Sequence, residues 1–551
     1  MRKKRILFCS EATFLNTGYA TYTREILNYL HKTGKYEIAE LASYGSPEDS
    51  RASTIPWIYF PAALSSHATE EEKKVYASNY TNQFGAYRFH DACLRFKPDI
   101  VCDIRDFWML EFEQKSAYRK FFKWCIMPTV DAQPQAQNWI DTYKTADACL
   151  TYSDWAGELL KSQSFGKIKY IGSAPPSAHS AYSCVKDKKT CRGMIGIRDD
   201  IKIIGTVMRN QRRKLYPDLF EAFRMLLDKS ENDNYLLYCH TSFPDMGWDI
   251  PELLQHHKLS SKVMFTYVCQ KTKKPFAAFF SGPKCVSPFT HGLDGLMSSV
   301  QNGISYDDLS TIMQCFDLYV QYANSEGFGL PQVEAAAGGV PVASIDYSAM
   351  STVIRKLGGI ALKPKALYKE METGCMRAVP DNDYASTEML KFLQLPSAMR
   401  EKIGFETRQN FIKHFQWDMS GSMWESYFDS VEIVNEDETW LSPPDIKNPH
   451  GMPDVSTFQS IKDSVSFLIN QVLCRPEEIN SFLSHRLNRD LMYGFTTASK
   501  AGIYANDSSM ISDGNNAKTS FDFQKAYSYM LSLRNEINYY EQKRAEAFGI
   551  L

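Results

Sequence analysis

Residues Phe316 to Val342 constrain this chain more than any other stretch. Phe316-Asp-Leu-Tyr-Val-Gln-Tyr322 has the apolar, aromatic and β-branched character of a buried strand. Ser325-Glu-Gly-Phe-Gly-Leu-Pro331 follows as a glycine-rich loop, then a short helix carried by Ala335 to Ala337. Gly338-Gly339 end that helix, and Val340-Pro-Val342 opens another strand. Gly327 and Gly329 carry no Cβ, so the backbone there can approach a ligand closely. Pro331 stands at a first helical position, where a missing N–H costs nothing. A helix start opened by glycines offers free N–H groups and a positive dipole end to an anion. Glu326 lies in the loop and Glu334 one turn inside the helix, with seven residues between them. Two carboxylates so placed can hold hydroxyl groups on either side of a bound phosphate.

Similar strand and helix alternation runs through most of the chain. Arg5-Ile-Leu-Phe-Cys9 reads as a strand, Ser10 to Gly18 as a polar loop, and Tyr19 to Leu30 as an amphipathic helix. Further strands are expected at Tyr36–Leu41, Pro98–Cys102, Trp124–Pro128 and Ala146–Thr151, the last followed by a helix capped by Ser153. Ile171-Gly-Ser-Ala-Pro-Pro-Ser177 reads as a linker. A second α/β unit opens with Ile201–Val207, continues through helix 215–227, and holds the strands 235–239 and 263–268. The fold class is therefore α/β, with a first Rossmann-like lobe over 1–175 and a second over 176–432. An insert at 268–294 interrupts the second lobe. Its Cys269, Cys285 and His291 are too few for a structural zinc, so it reads as a surface loop, possible cover for an acceptor. Beyond the prolines at 443–453, a helical extension over 440–551 is expected, with helices at 458–472, 477–492 and 521–547 and a polar loop at 505–519. Its charge is near balance, so its apolar stripes are read as packing on the body or on another subunit.

At 551 residues the chain needs two or three cores. A net charge of −2 gives no global pull toward nucleic acid or anionic membrane. No apolar run approaches the roughly 20 residues that span a bilayer, and the apolar start is too short for a signal peptide. A cytoplasmic location follows as the expectation. Thirteen cysteines with no CxxC spacing read as free thiols in a reducing compartment.

The 325–342 string resembles the Glu-x7-Glu motif of the retaining GT-B glycosyltransferases, the family of sucrose synthase and the bacterial mannosyl- and glucosyltransferases. The resemblance covers roughly residues 5–432 and implies two Rossmann-like lobes facing across a cleft, with a closing helix at 419–431 that returns to the first lobe. It implies that Glu326 lies beside the donor sugar and that Glu334 binds the nucleotide ribose. Gly327, Phe328, Gly329 and Leu330 would border the donor. Arg209 and Lys214, five apart in Met208-Arg-Asn-Gln-Arg-Arg-Lys214, match the family's grip on the donor diphosphate. Fixed cations stabilise the leaving group's growing charge more in the transition state than in the ground state. Arg212 and Arg213 are read as spare charges facing water. Asn16, Thr17 and Gly18 occupy the glycine turn near the phosphates.

Met127-Pro-Thr-Val-Asp-Ala132 departs from the family, since many relatives end this strand with a histidine where Asp131 stands. Asp131 could take a hydrogen bond from a sugar hydroxyl, act as a base, or cap a turn. Asp103, Arg105 and Asp106 are expected on the cleft side, close to the acceptor. His240 reads as a structural histidine near the base. No metal and no cofactor are expected: Arg209, Lys214 and the helix start at Leu330-Pro331 replace the metal, and the substrate is a nucleotide sugar, UDP-linked. The diphosphate leaves, the acceptor hydroxyl attacks from the same face, and the departing phosphate helps take the proton.

The Val130-Asp131 and Pro134 combination, the insert and the tail also resemble glycosyltransferases of large tailed bacteriophages. That resemblance implies a second acceptor class, a hydroxymethylated DNA base, with modest basic patches at Arg2–Arg5 and Lys271–Lys274; the location would then be the host cytoplasm. The rival from another class is a non-catalytic sugar-nucleotide-binding scaffold, with oligomerisation through the C-terminal extension.

Overall fold

The computed structural model describes residues 2–230, 234–299, 301–435, 438–458, 461–474 and 523–550. The expected helix at 477–492 and the polar loop at 505–519 lie outside the described residues.

Two sheets carry the body. In the first, β1 (Lys4–Glu11), β2 (Tyr36–Ser43), β3 (Ile58–Pro61), β4 (Ile100–Asp103), β5 (Lys123–Ile126), β6 (Ala148–Thr151) and β7 (Tyr170–Ser173) run parallel in the order β3-β2-β1-β4-β5-β6-β7. Fully apolar runs such as Ile6-Leu7-Phe8-Cys9, none of them exposed, reflect a sheet covered by helices on both faces. β7 absorbs Ile171-Gly-Ser173, which the proline-flanked sequence had suggested as linker. The linker chemistry is confined to the residues after it.

The second sheet is built on β8 (Lys202–Val207), β9 (Tyr235–His240), β10 (Val263–Cys269), β11 (Pro275–Phe279), β12 (Lys284–Cys285), β13 (Gly295–Met297), β14 (Leu318–Gln321), β15 (Val342–Ile345) and β16 (Ile360–Leu362). Its main path is β12-β13-β10-β9-β8-β14-β15-β16, with β11 also on β10. The insert is therefore not a surface loop. β11 and β13 pair antiparallel with β10 and extend the sheet, and burial of Phe276 and Cys285 explains the apolar residues among its polar ones. A further hairpin, β17 (Pro364–Lys369) with β18 (Met376–Pro380), stands apart from both sheets.

Among the parallel strands of each sheet the order reverses once, between β1 and β4 and between β8 and β14. Open α/β sheets bind ligands beyond the carboxyl ends of strands at such a reversal. Here those four strand ends lead into the loops that hold residues 11–18, 104–107, 208–215 and 322–329.

The helix Trp417–Ser430 lies on the first lobe: Trp424 Nε1 donates to Tyr22 Oη at 2.9 Å, and Ser420 Oγ to the Pro175 carbonyl at 2.6 Å. The extension packs on the same lobe. Trp440 is buried against Tyr118 and Phe121 and donates to the Pro98 carbonyl at 3.2 Å. From the helix Phe523–Phe548, Tyr540 stacks on His90 with centroids 3.7 Å apart, and buried Arg544 holds the Trp440 and Ser442 carbonyls. The tail's apolar stripe thus has an occupant within the same chain.

Candidate active site

A cavity of about 570 Å3 opens where the two strand reversals face each other. The second-lobe wall is the loop Glu326 to Leu330 together with Arg213, Thr373 and Arg377. The first-lobe wall includes Glu11, Thr17, Gly18, Asp106, Thr129 and Asp131, with an aromatic shelf of Phe107, Trp108 and Trp139. A separate cavity of about 490 Å3, between Lys123, Asp147 and Lys169, lies at the opposite, amino ends of the first sheet's strands.

Main-chain pairing sets the second-lobe wall. Leu215 N donates to the Tyr322 carbonyl at 3.1 Å, Lys214 bridges Ala323, and Asn324 N donates to the Arg213 carbonyl at 3.0 Å. These bonds zip the loop after β8 to the loop after β14 and bring Arg213 and Lys214 against the Glu326 carboxylate, each in hydrogen-bonded contact. Gln321 Nε2 adds a third donor at 3.0 Å. Ser348, at φ 53°, fixes the Glu326 backbone: its Oγ accepts from the Glu326 N–H at 3.0 Å and donates to the Glu326 carbonyl at 3.1 Å. Glu326 is only 6% exposed, so a carboxylate there requires these cations.

Gly327 and Gly329 answer the two demands read from the sequence. A Cβ on Gly327 would stand 2.6 Å from Thr129 Cγ2 of the facing lobe. Gly329 holds φ 84°, in the left-handed region, and begins the helix Leu330–Ala337 without any side-chain cap. Thr17 and Ser153 cap two other helices, while Phe107–Lys115 and Tyr216–Lys229 also start without a side-chain cap, so the glycine at φ 84° rather than the missing cap sets this helix start apart from those two. The first amides of this helix are left to an anion.

Glu334, on the same helix, is 8% exposed, and among the described residues its carboxylate has no hydrogen-bond donor. Burial alone pushes its carboxyl up to about 7.

Several sequence expectations are corrected. Arg213, although its side chain is exposed, is not a spare charge: it lines the cavity in contact with Glu326. Lys214 is buried behind Glu326 rather than lining the cavity, and burial followed by the charge of Arg213 pushes its ammonium pKa down. Arg209 lies outside the cavity lining, where Asp245 takes its guanidinium in a two-pronged pair at 3.0 Å. Asp103 and Arg105 do not reach the cleft. Both are fully buried, because Arg105 spends its donors on Asp103, Ser43 and the Phe84 carbonyl. Asp106 does reach it, and burial, reinforced by the charge of Asp131, raises its carboxyl to about 6.

In the first-lobe turn, Thr17 and Gly18 line the cavity and Asn16 does not. Thr17 caps the helix Gly18–Thr33 by accepting from Ala20 N at 3.2 Å. A Cβ on Gly18 would meet nothing within 4 Å, so the glycine preserves open space. His240 is half-buried against Thr266 Oγ1 at 2.9 Å, and desolvation lowers its pKa to about 4.

Sequence reasoning missed Arg377. It pairs with Asp131 across the cleft at 2.7 Å and with Glu370 at 2.8 Å, from strand β18. The same strand donates Met376 N to the Gln133 carbonyl at 2.7 Å, and Cys375 Sγ contacts the Pro134 carbonyl at 3.0 Å. The hairpin thus clasps the first lobe. Asp131 is consequently engaged by the Arg377 guanidinium from the facing lobe.

Comparison with known proteins matches this geometry. Three solved structures align over 78% of the chain: sucrose-phosphate synthase from Thermosynechococcus elongatus at 15% identity, 98% of its length and a TM-score of 0.55; a glycosyltransferase from Rickettsia africae at 13%, 98% and 0.54; and α,α-trehalose-phosphate synthase (UDP-forming) from Burkholderia vietnamiensis at 12%, 99% and 0.52. Among curated proteins, no sequence relative matches. Residues 297–389, which hold the Glu326 loop, its helix and the Arg377 hairpin, match the family model "Glycosyl transferases group 1". The chain has the GT-B arrangement of two Rossmann-like lobes, and its second lobe contains a region matching the group 1 glycosyl transferases.

Proposed function

We propose that this protein transfers a sugar from a nucleotide-sugar donor, UDP-linked, to an acceptor hydroxyl with retention of anomeric configuration. The observation that carries the reading is the uncapped, glycine-opened helix start beside the Glu326, Arg213 and Lys214 cluster, at the point where both strand reversals meet. The group 1 match over the same residues supports it, and the name of the Burkholderia neighbour, a UDP-forming synthase, favours uridine as the base.

In this reading the diphosphate lies at the amide end of Leu330–Ala337. It draws Arg213 and Lys214 from Glu326, and Arg209 exchanges Asp245 for it. Glu326, released, accepts hydrogen bonds from the donor sugar, while the Glu334 carboxylate receives the ribose hydroxyls. Thr17 and Gly18 close the site from the first lobe. Cations placed in advance stabilise the negative charge as the sugar–phosphate bond breaks, with no metal required. The acceptor oxygen attacks on the face the diphosphate leaves, and its proton passes to the departing phosphate oxygen. Asp106 orients that hydroxyl. The narrow approach of Thr129 to Gly327 excludes water from the reacting face.

Donor specificity is tested by thermal shift and slow hydrolysis against UDP-, GDP-, ADP- and TDP-sugars. A UDP-sugar should stabilise the wild type and be hydrolysed, and Glu334→Ala and Arg209→Ala should each lose both responses. Indifference to every nucleotide sugar would leave a scaffold in place of an enzyme. The Gly327 contact gives a second check. Gly327→Ala should reduce hydrolysis about tenfold to a hundredfold by forcing the lobes apart, and Thr129→Ser, which removes Cγ2, should restore most of it. Equal activity of Gly327→Ala and wild type would show that the loops do not meet during turnover.

The two basic runs considered for a DNA acceptor are engaged by carboxylates within the chain at Arg2 and Lys271. Arg2 is paired with Asp99 at 2.7 Å at the amino ends of β1 and β4, opposite the cavity, and Lys271 is paired with Asp294 at 3.4 Å in the insert.

A further inference from the structure

The two walls of the cavity differ in charge. On the first-lobe side stand three carboxylates, Glu11, Asp106 and Asp131, and among the described residues no lysine, arginine or histidine lines it. The cavity's two cations, Arg213 and Arg377, belong to the second lobe, and both are already engaged, by Glu326 and by Asp131 with Glu370. A phosphorylated acceptor brought to the first-lobe side would meet carboxylates, while Arg213 is assigned to the donor diphosphate and Arg377 is shared by Asp131 and Glu370. Hydroxyl groups have the opposite fit, since each can donate to a carboxylate.

The same wall carries an aromatic shelf. Phe107 and Trp108 begin the helix Phe107–Lys115, and Trp139 stands on the helix Gln137–Tyr143. Phe107 stacks behind Trp139 with centroids 5.5 Å apart and planes at 25°, which fixes the indole plane. Trp108 meets Trp139 at 63°, centroids 6.5 Å apart, and remains 44% exposed. An indole left this open beside the cavity's carboxylates is a large apolar surface awaiting a partner. The carbon-bound hydrogens on one face of a pyranose ring suit an aromatic plane, while the ring's rim of hydroxyls suits the carboxylates beside it.

Resting on the transferase reading, we propose that the acceptor is an uncharged saccharide, bound by stacking on Trp108 and Trp139 and by hydroxyl donation to Asp106 and Glu11. This sets the acceptor apart from both sugar phosphates and DNA, whose phosphates the first-lobe wall repels.

The test uses the full chain and the donor found by hydrolysis. Transfer is compared among uncharged mono- and disaccharides, their 6-phosphates and duplex DNA containing hydroxymethylcytosine. An uncharged saccharide should be used with kcat/KM at least tenfold above that of its phosphate. Trp108→Ala, at an exposed position, should raise the acceptor KM about tenfold and leave donor hydrolysis within twofold; Trp139→Ala should do the same and Trp139→Phe should recover most of the loss. Preference for a sugar phosphate or for the DNA overturns the inference, as does an acceptor KM unmoved in both alanine variants. Donor hydrolysis with no transfer to any saccharide overturns it too, and leaves the donor reading standing. Absence of donor hydrolysis removes the transferase reading itself, and the inference with it.

Discussion

Glu334→Gln should melt several degrees above the wild type at pH 8 and together with it at pH 4. The carboxyl is held near 7 by burial, against an ordinary value of 4.5. A carboxyl raised in the folded state favours folding in its neutral form. Its cost is therefore absent below about 4.5, grows as pH rises, and is complete above about 7. The difference amounts to about 3 kcal/mol. Glutamine keeps the shape and never ionises, so it removes the cost. The same substitution should weaken donor binding about tenfold or more, because hydrogen bonds from ribose hydroxyls to a charged acceptor become neutral ones. Wild-type donor binding should release a proton below pH 7, seen as a buffer-dependent enthalpy in calorimetry. Coincident melting curves at pH 8 would show that Glu334 is solvated and not held in reserve for a ligand.

The second large effect is expected at Lys214. Lys214→Met removes one of two cations from a carboxylate that is 6% exposed. Loss of one partner from a buried pair costs about 3 kcal/mol or more, so the melting temperature should fall markedly. Donor hydrolysis should fall about a hundredfold or more, since a preplaced charge at the leaving group is lost. Adding Glu326→Gln to Lys214→Met should recover much of the stability and none of the activity, a coupling that only a direct pair produces. Denaturant melts and single-turnover hydrolysis of the four proteins in the cycle measure both. If the two stability losses simply add, the pair is not a pair in solution.

The sheets and the Glu326 loop were legible because their signals are local. Continuous apolar runs mark strands buried on both faces, and glycines flanking a proline mark an opened helix. What was not legible depends on distant partners. Nothing near Arg377 in Met376-Arg-Ala-Val-Pro380 reveals that its partners stand at 131 and 370, on another lobe and at the tip of its own hairpin. Hairpin β17–β18 is largely exposed on its first strand, so its sequence lacks the apolar alternation that betrays a strand. Arg209 and Arg213 have the same local chemistry, and only the main-chain zipper between residues 213–215 and 322–324 decides which of them enters the cavity. Asp103 and Arg105 sit at a strand end, where polar residues ordinarily mean a site. Their burial follows from Ser43 and Phe84, neither of which is near in sequence. The insert's cysteines suggested metal chemistry or a loop because periodicity is weak over strands as short as Lys284–Cys285.

The bond from Met376 N to the Gln133 carbonyl has a consequence for how such a molecule can change over generations. Two main-chain atoms make it, so every residue type except proline at 376 preserves it, whatever happens to the side chains around it. Drift in the surrounding sequence can rewrite the charges at the cleft while this tie between the lobes persists. The ease with which the jaws part is then adjusted less by point substitution than by lengthening or shortening the tip at 370–375, a change in hairpin length that leaves both sheets untouched.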